Sequence, residues 1–138
     1  MSPAEIPEEV INWDTLSEIV SMDEDSPDFS KSLIIQFFDQ AATTFDQIQH
    51  ELDGRCQLEE LASLGHFLRG SSAALGLQRI AWACERIQNL GRKREGASQG
   101  ESPADTHYAE LIRENLVTAR QEFVRAKTDL SAIYKCEL

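Results

Sequence analysis

Apolar residues recurring at helical spacing in five successive segments, separated by Gly, Pro and acidic breaks, predict an all-α protein: an antiparallel four-helix bundle with a short additional N-terminal helix. Two further observations agree with that class. No stretch alternates apolar and polar residues at period two, and no internal repeat is apparent. A chain of 138 residues with 41% hydrophobic content suits one soluble domain, residues 1–138.

The first segment, 11–22, places Ile11, Leu16, Ile19, Val20 and Met22 on one face of a short helix, with Asp14 near its N-terminus. The run Asp23-Glu24-Asp25-Ser26-Pro27-Asp28 interrupts it. Pro27 and Asp28 suit the start of the next helix, because proline fits a first turn and a carboxylate complements the dipole there. That helix, 28–53, repeats Phe29, Leu33, Phe37, Ala41, Phe45, Ile48 and Leu52 until Asp53-Gly54. A third, 58–75, carries Leu58, Leu61, Leu64, Leu68 and Leu75 and is ended by Gly76, which accepts a left-handed backbone. The fourth, 78–94, is marked by Ile80, Cys84, Ile87 and Leu90. Residues 96–103, GASQGESP, read as a mobile loop, and 104–134 forms the last helix, with Leu111, Leu116, Phe123, Ala126 and Leu130 toward the core.

Charge narrows the function. The net charge of -11 argues against nucleic acid, whose binding requires Lys and Arg on phosphates. Between His66 and Arg94, however, Arg69, Arg79, Arg86, Arg92, Lys93 and Arg94 face one acid, Glu85, so this segment is +5 and the remainder -16. Such an island suggests a local anion site, with solvated helix faces as the alternative. No run approaches the roughly 18 apolar residues that span a bilayer, and the acidic start MSPAEIPEEV lacks signal-peptide character, so an intracellular location is expected. Cys56, Cys84 and Cys136 are odd in number and far apart, hence expected as reduced thiols with Cys84 buried.

The segment His66-Phe67-Leu68-Arg69-Gly70-Ser71-Ser72-Ala73-Ala74-Leu75-Gly76-Leu77 concentrates the chemistry. On a helix His66, Arg69 and Gly70 stand at i, i+3 and i+4 and share a face. A side chain at position 70 would lean back over the ground beside the imidazole, and glycine leaves that ground open. Glycine costs about 1 kcal/mol against alanine inside a helix, so its presence calls for a reason. Room for an incoming group is one, and Arg69 could pair with a phosphoryl oxygen.

This stretch resembles the signature of the histidine-containing phosphotransfer (HPt) family: an acceptor His, then a basic residue at three, Gly at four and Gly at ten, met here by His66, Arg69, Gly70 and Gly76. The likeness extends through Ile11-Asn12-Trp13, Ser21-Met22-Asp23, Asp28 to Lys31, Leu33 to Phe37 and Gln78 to Lys93, and is similar to the fungal Ypd-type phosphorelay intermediates. Arg69 stands where Lys is usual, and the loop before the last helix is short compared with the yeast form.

The resemblance implies that His66 accepts a phosphoryl group from the receiver domain of a hybrid histidine kinase and passes it to response-regulator receiver domains. It implies supporting roles for Gln88, steadying the imidazole or phosphoryl group, and for Arg92, offsetting charge. It further implies a docking surface from Thr15, Leu16, Ile19, Met22, Phe29, Leu33, Phe67 and Gly70, a monomer, and a cytoplasmic protein that could also visit the nucleus. No P-loop, kinase glycine loop or compact acidic metal site accompanies His66, so a phosphocarrier without its own kinase machinery is expected, binding no cofactor, with Mg²⁺ and the acceptor Asp in the receiver. Two alternatives stay open: a helical adaptor that binds receivers without being phosphorylated, and an enzyme using His66 as general base, weakened by the lack of a nearby carboxylate or nucleophile.

Overall fold

The computed structural model describes residues 5–97 and 104–138. Helix α1 spans Trp13–Val20 and runs on as a 3-10 turn, Ser21–Glu24. Four longer helices follow: α2 Phe29–Asp53, α3 Leu58–Ala74, α4 Gln78–Gly91 and α5 Asp105–Tyr134. No strand occurs among the described residues. The pairs α2 and α3, α3 and α4, α4 and α5, and α5 and α2 pack on one another, which closes a four-helix ring, and α1 lies against α2.

Helix α1 starts two residues later than its apolar pattern, because the Asn12 side chain accepts the Thr15 amide at 3.3 Å and fixes the first turn. Ile11 precedes the helix and is nevertheless buried in the core. The start of α2 departs from expectation too. Asp28 sits at the N-cap in a left-handed conformation, φ 66°, and its side chain caps nothing. Asp23 does so instead: its carboxylate takes the Ser30 amide at 2.8 Å and the Ser30 hydroxyl at 2.6 Å. These bonds hold the Asp23 carboxyl below the usual carboxylate range. Ser30 is fully buried and also bonds the Tyr134 hydroxyl, so one acidic residue links the 3-10 turn, α2 and the end of α5.

Helix α3 ends at Ala74, one residue short of the expected Leu75, and Gly76 turns the chain at φ 77°, with the Leu77 amide reaching back to the Ser72 carbonyl at 2.9 Å. Helix α4 stops at Gly91, short of Arg94, because Lys93 turns left-handed at φ 57°. Of the expected mobile loop, residues 98–103 lie outside the described residues.

The core is aliphatic and aromatic. Phe45, Ile48, Leu61, Leu68, Ile80, Ile87, Ile112 and Leu116 are essentially inaccessible, each worth about 1.5–3 kcal/mol of burial. Phe123 packs edge-on against both Phe38 and Phe45. Cys84 is among the buried residues, and burial pushes its thiol up to about 12.

Helices α3 and α4 approach closely enough that backbone meets backbone. A Cβ added to Gly65 would stand 2.9 Å from the Cys84 carbonyl oxygen and the Gln88 amide, and one on Gly91 would stand 2.6 Å from the Leu58 carbonyl oxygen. These two glycines seat the residue before His66 directly against α4.

Candidate functional site

His66 lies near the middle of α3, exposed, with Gly65 on one side pressed into the bundle. The same outward strip of α3 carries Ser63, Phe67, Gly70, Ala73 and Ala74, all exposed. Apart from Phe67, nothing on it is bulky, so the imidazole stands on open ground. At Gly70 an added Cβ would meet nothing within 4 Å. The glycine therefore answers no packing demand inside the chain, and the clear space is available to something outside it.

Arg69, one turn from His66, is half-buried and turned toward α4, where its Nε donates to Oε1 of Gln88 at 3.1 Å. Gln88 is buried, 5% exposed. The Gln88 carbonyl oxygen thus engages the arginine, and among the described residues no hydrogen bond joins Gln88 to the His66 ring. Arg92, at the end of α4, borders a shallow hollow with Arg94, Gly91, Ala62, Ser63 and Glu59, on the side of α3 that leads to His66.

The basic island resolves into two groups. Arg79 is consumed by a buried pair with Glu122, donating from Nε at 2.8 Å and Nη2 at 3.0 Å. Arg86 pairs with Glu95 at 3.1 Å and stacks on Trp82, and Lys93 pairs with Asp105 at 2.9 Å, which raises its pKa. These three cations are therefore already paired with carboxylates within the chain. Arg69, Arg92 and Arg94 have no carboxylate within ion-pair distance among the described residues. Of these, Arg69 stands one turn from His66 on α3, while Arg92 and Arg94 border the hollow lined by Ser63 and Glu59. No cluster of three or more His, Cys, Asp or Glu side chains suited to a metal occurs among the described residues.

The residues expected to line a docking surface divide sharply. Phe67 and Met22 are 46% and 55% exposed, and Thr15, Ile19, Phe29 and Leu33 are half-buried. Leu16 is a correction: at 1% exposure it is a core residue, because it faces the bundle one turn into α1 beside the Asn12 and Gly76 contact. The docking residues expected from sequence do not include Trp13, Val20 and Ile35, exposed at 47%, 39% and 38%, or the small exposed residues Ser63, Ala73 and Ala74. Their spacing from His66 at −3, +7 and +8 was the available signal. Gly65 and Gly91 were missed as positioning residues; a glycine directly before the histidine, inside a helix, was the clue.

Comparison with known proteins places these features in context. The Hpt domain family matches residues 32–129. A 90-residue stretch, 65% of this chain and 54% of the relative, is 72% identical to the phosphorelay intermediate protein YPD1 of Saccharomyces cerevisiae. The YPD1 of Candida albicans is 52% identical over 84 residues, 61% of this chain and 45% of that protein. These matches span about half the length of the curated relatives. Among solved structures, the Saccharomyces cerevisiae histidine phosphotransfer signaling protein Ypd1, co-crystallised with the receiver domain of its downstream response regulator Ssk1, superposes with a TM-score of 0.91 at 51% identity, covering 97% of this chain and 100% of that one.

Proposed function

The chain belongs to the Hpt domain family, and from that premise we propose that it is a phosphorelay intermediate carrying a phosphoryl group on His66. The observation that carries this reading is an exposed histidine beside Gly70, whose vacant side-chain space serves no internal packing, with Arg69 one turn away and in no ion pair among the described residues. The proposed donor is the receiver domain of a hybrid histidine kinase, and the acceptors are response-regulator receiver domains, consistent with the relatives named above.

Chemically, a neutral imidazole nitrogen attacks the phosphorus of a receiver's aspartyl phosphate. The new N–P bond forms as the acyl P–O bond breaks, and the aspartate leaves as a carboxylate. The second receiver reverses these events. Such transfer depends on positioning and charge compensation. This chain supplies the nucleophile and cations, while the receiver brings Mg²⁺ and the carboxylates, so His66 is a passive partner without kinase activity of its own. Phe67 and Met22, with the half-buried Ile19, Phe29 and Leu33, offer the apolar contact that brings the receiver's aspartate over His66. A monomer in the cytoplasm with access to the nucleus fits a carrier between receivers, and no helix among the described residues is long and apolar enough to cross a membrane.

The test uses a phosphorylated receiver with Mg²⁺, then a second receiver. Acid-labile, alkali-stable label should appear on the wild-type chain and pass onward, and His66→Gln should abolish both steps. Full labelling of His66→Gln would remove His66 as the site. Receiver binding with no label on the wild type would leave a docking adaptor.

A further inference from the structure

We propose that Gln88 is a positioning residue whose task is to hold Arg69, through its Nε, so that the two terminal guanidinium nitrogens face the phosphoryl group on His66. This rests on the phosphocarrier reading above. The backbone of Gln88 is pinned against α3 at Gly65, where even a methyl group would come within 2.9 Å of its amide. Its side chain is buried and its one carbonyl oxygen takes the Arg69 Nε–H at 3.1 Å. Both ends of the glutamine are therefore fixed before any phosphoryl group arrives.

Arginine suits this division of labour and lysine does not. A guanidinium is planar, so bonding one edge to Gln88 sets the direction of the remaining N–H groups, which can take two phosphoryl oxygens as a fork. An ammonium at the same place has a single nitrogen with freely rotating hydrogens, and a bond to Gln88 would orient nothing. No carboxylate lies within ion-pair distance of Arg69 among the described residues, so its charge is not already committed. Arg69 stands one helical turn from His66 on the same side of α3. Gln88 itself then acts at second hand, and Arg69 and Gln88 work as one unit at this site.

The experiment is a double-mutant cycle with a spectroscopic readout. Wild type, Gln88→Met, Arg69→Lys and the double variant are labelled by a phosphorylated receiver, the receiver is removed, and the lifetime of the phosphohistidine is followed. The Arg69 Nε–H resonance is recorded on those samples that retain the arginine. Gln88→Met is expected to shorten the lifetime about tenfold when Arg69 is present and under about twofold in the Arg69→Lys background, since a charge-assisted hydrogen bond is worth roughly one decade. It should also turn the Arg69 Nε–H signal from slowly to rapidly exchanging. Gln88→Glu, which keeps an acceptor at the same place, should restore the slow signal even if Gln88→Met proves poorly folded. An equal loss in both backgrounds, or an unchanged Nε–H signal in Gln88→Met, overturns the assignment of Gln88 while leaving His66 labelled. Failure of the wild type to take label at all overturns the phosphocarrier reading and this inference with it.

Discussion

Asn12 and Gly76 clasp each other where α1 meets the end of α3. The Asn12 amide donates to the Gly76 carbonyl at 2.7 Å, while a Cβ on Gly76 would lie 2.6 Å from the Asn12 carbonyl oxygen. The same contact closes the helix that carries His66 and anchors the helix that carries Ile19 and leads into the turn bearing Met22. Gly76 satisfies two demands at once, a positive φ and a backbone approach that no side chain survives.

Gly76→Ala should therefore destabilise the bundle by more than a left-handed residue alone, about 1–2 kcal/mol, because the clash with Asn12 adds to it. Urea unfolding should show a lowered midpoint. Equal midpoints for variant and wild type would mean that α1 swings away freely and that the clasp carries no stability.

Gly70→Gln separates stability from transfer. The variant places a good helix former at an exposed interior position, so thermal stability should rise by roughly 0.5–1 kcal/mol. The side chain would lie over the ground beside His66, so phosphotransfer should fall by at least about tenfold, a cost of roughly 1.4 kcal/mol in the transition state. A variant that is more stable and equally active would refute the steric role of this glycine.

Arg79 and Glu122 make a different kind of contact from the surface pairs. With side chains only 17% and 7% exposed, their bidentate bond sits between α4 and α5. Glu122→Ala leaves the arginine with carbonyl partners alone, Pro7 and Glu8, and should cost about 3 kcal/mol in chemical unfolding. Asp46→Ala, which removes the exposed pair with Arg120, should cost less than about 1 kcal/mol in the same assay. Similar losses for the two variants would mean that burial does not distinguish them.

Much of this was legible because helical periodicity is a strong signal: the five helices and the nearness of His66 and Gly70 on one exposed strip follow from spacing, whereas the turn of Arg69 toward α4 does not. What the sequence hid is three-dimensional. Charge counting leaves Arg79 and Arg86 open between an anion site and solvated helix faces, because which arginine is free depends on whether an acid distant in sequence, such as Glu122, folds against it. Leu16 read as one of several apolar residues on a short helix, and only the contact of α1 with the α3 terminus shows that it points inward. The capping of α2 by Asp23 and not by Asp28 depends on the left-handed turn at Asp28, which a local propensity rule does not anticipate.

That cap gives a pH signature. Because the Ser30 bonds lower the Asp23 pKa in the folded state, its contribution to stability is present above the unfolded carboxyl value, about 3.9, and is lost as pH falls through the lower folded value. Wild type should lose stability on acidification more steeply than Asp23→Asn, and the two should show parallel curves near neutral pH. Identical acid limbs in urea unfolding would remove Asp23 as the cap.

The most direct measurement locates the phosphoryl group itself. After exposure to a phosphorylated receiver and Mg²⁺, the chain should carry one phosphorus, with a ³¹P resonance of a P–N bond, lost in acid and mapped at neutral pH to the peptide containing His66. A phosphoryl group found on any other residue, or an acid-stable one, would contradict the assignment of this helix face as a phosphoryl carrier.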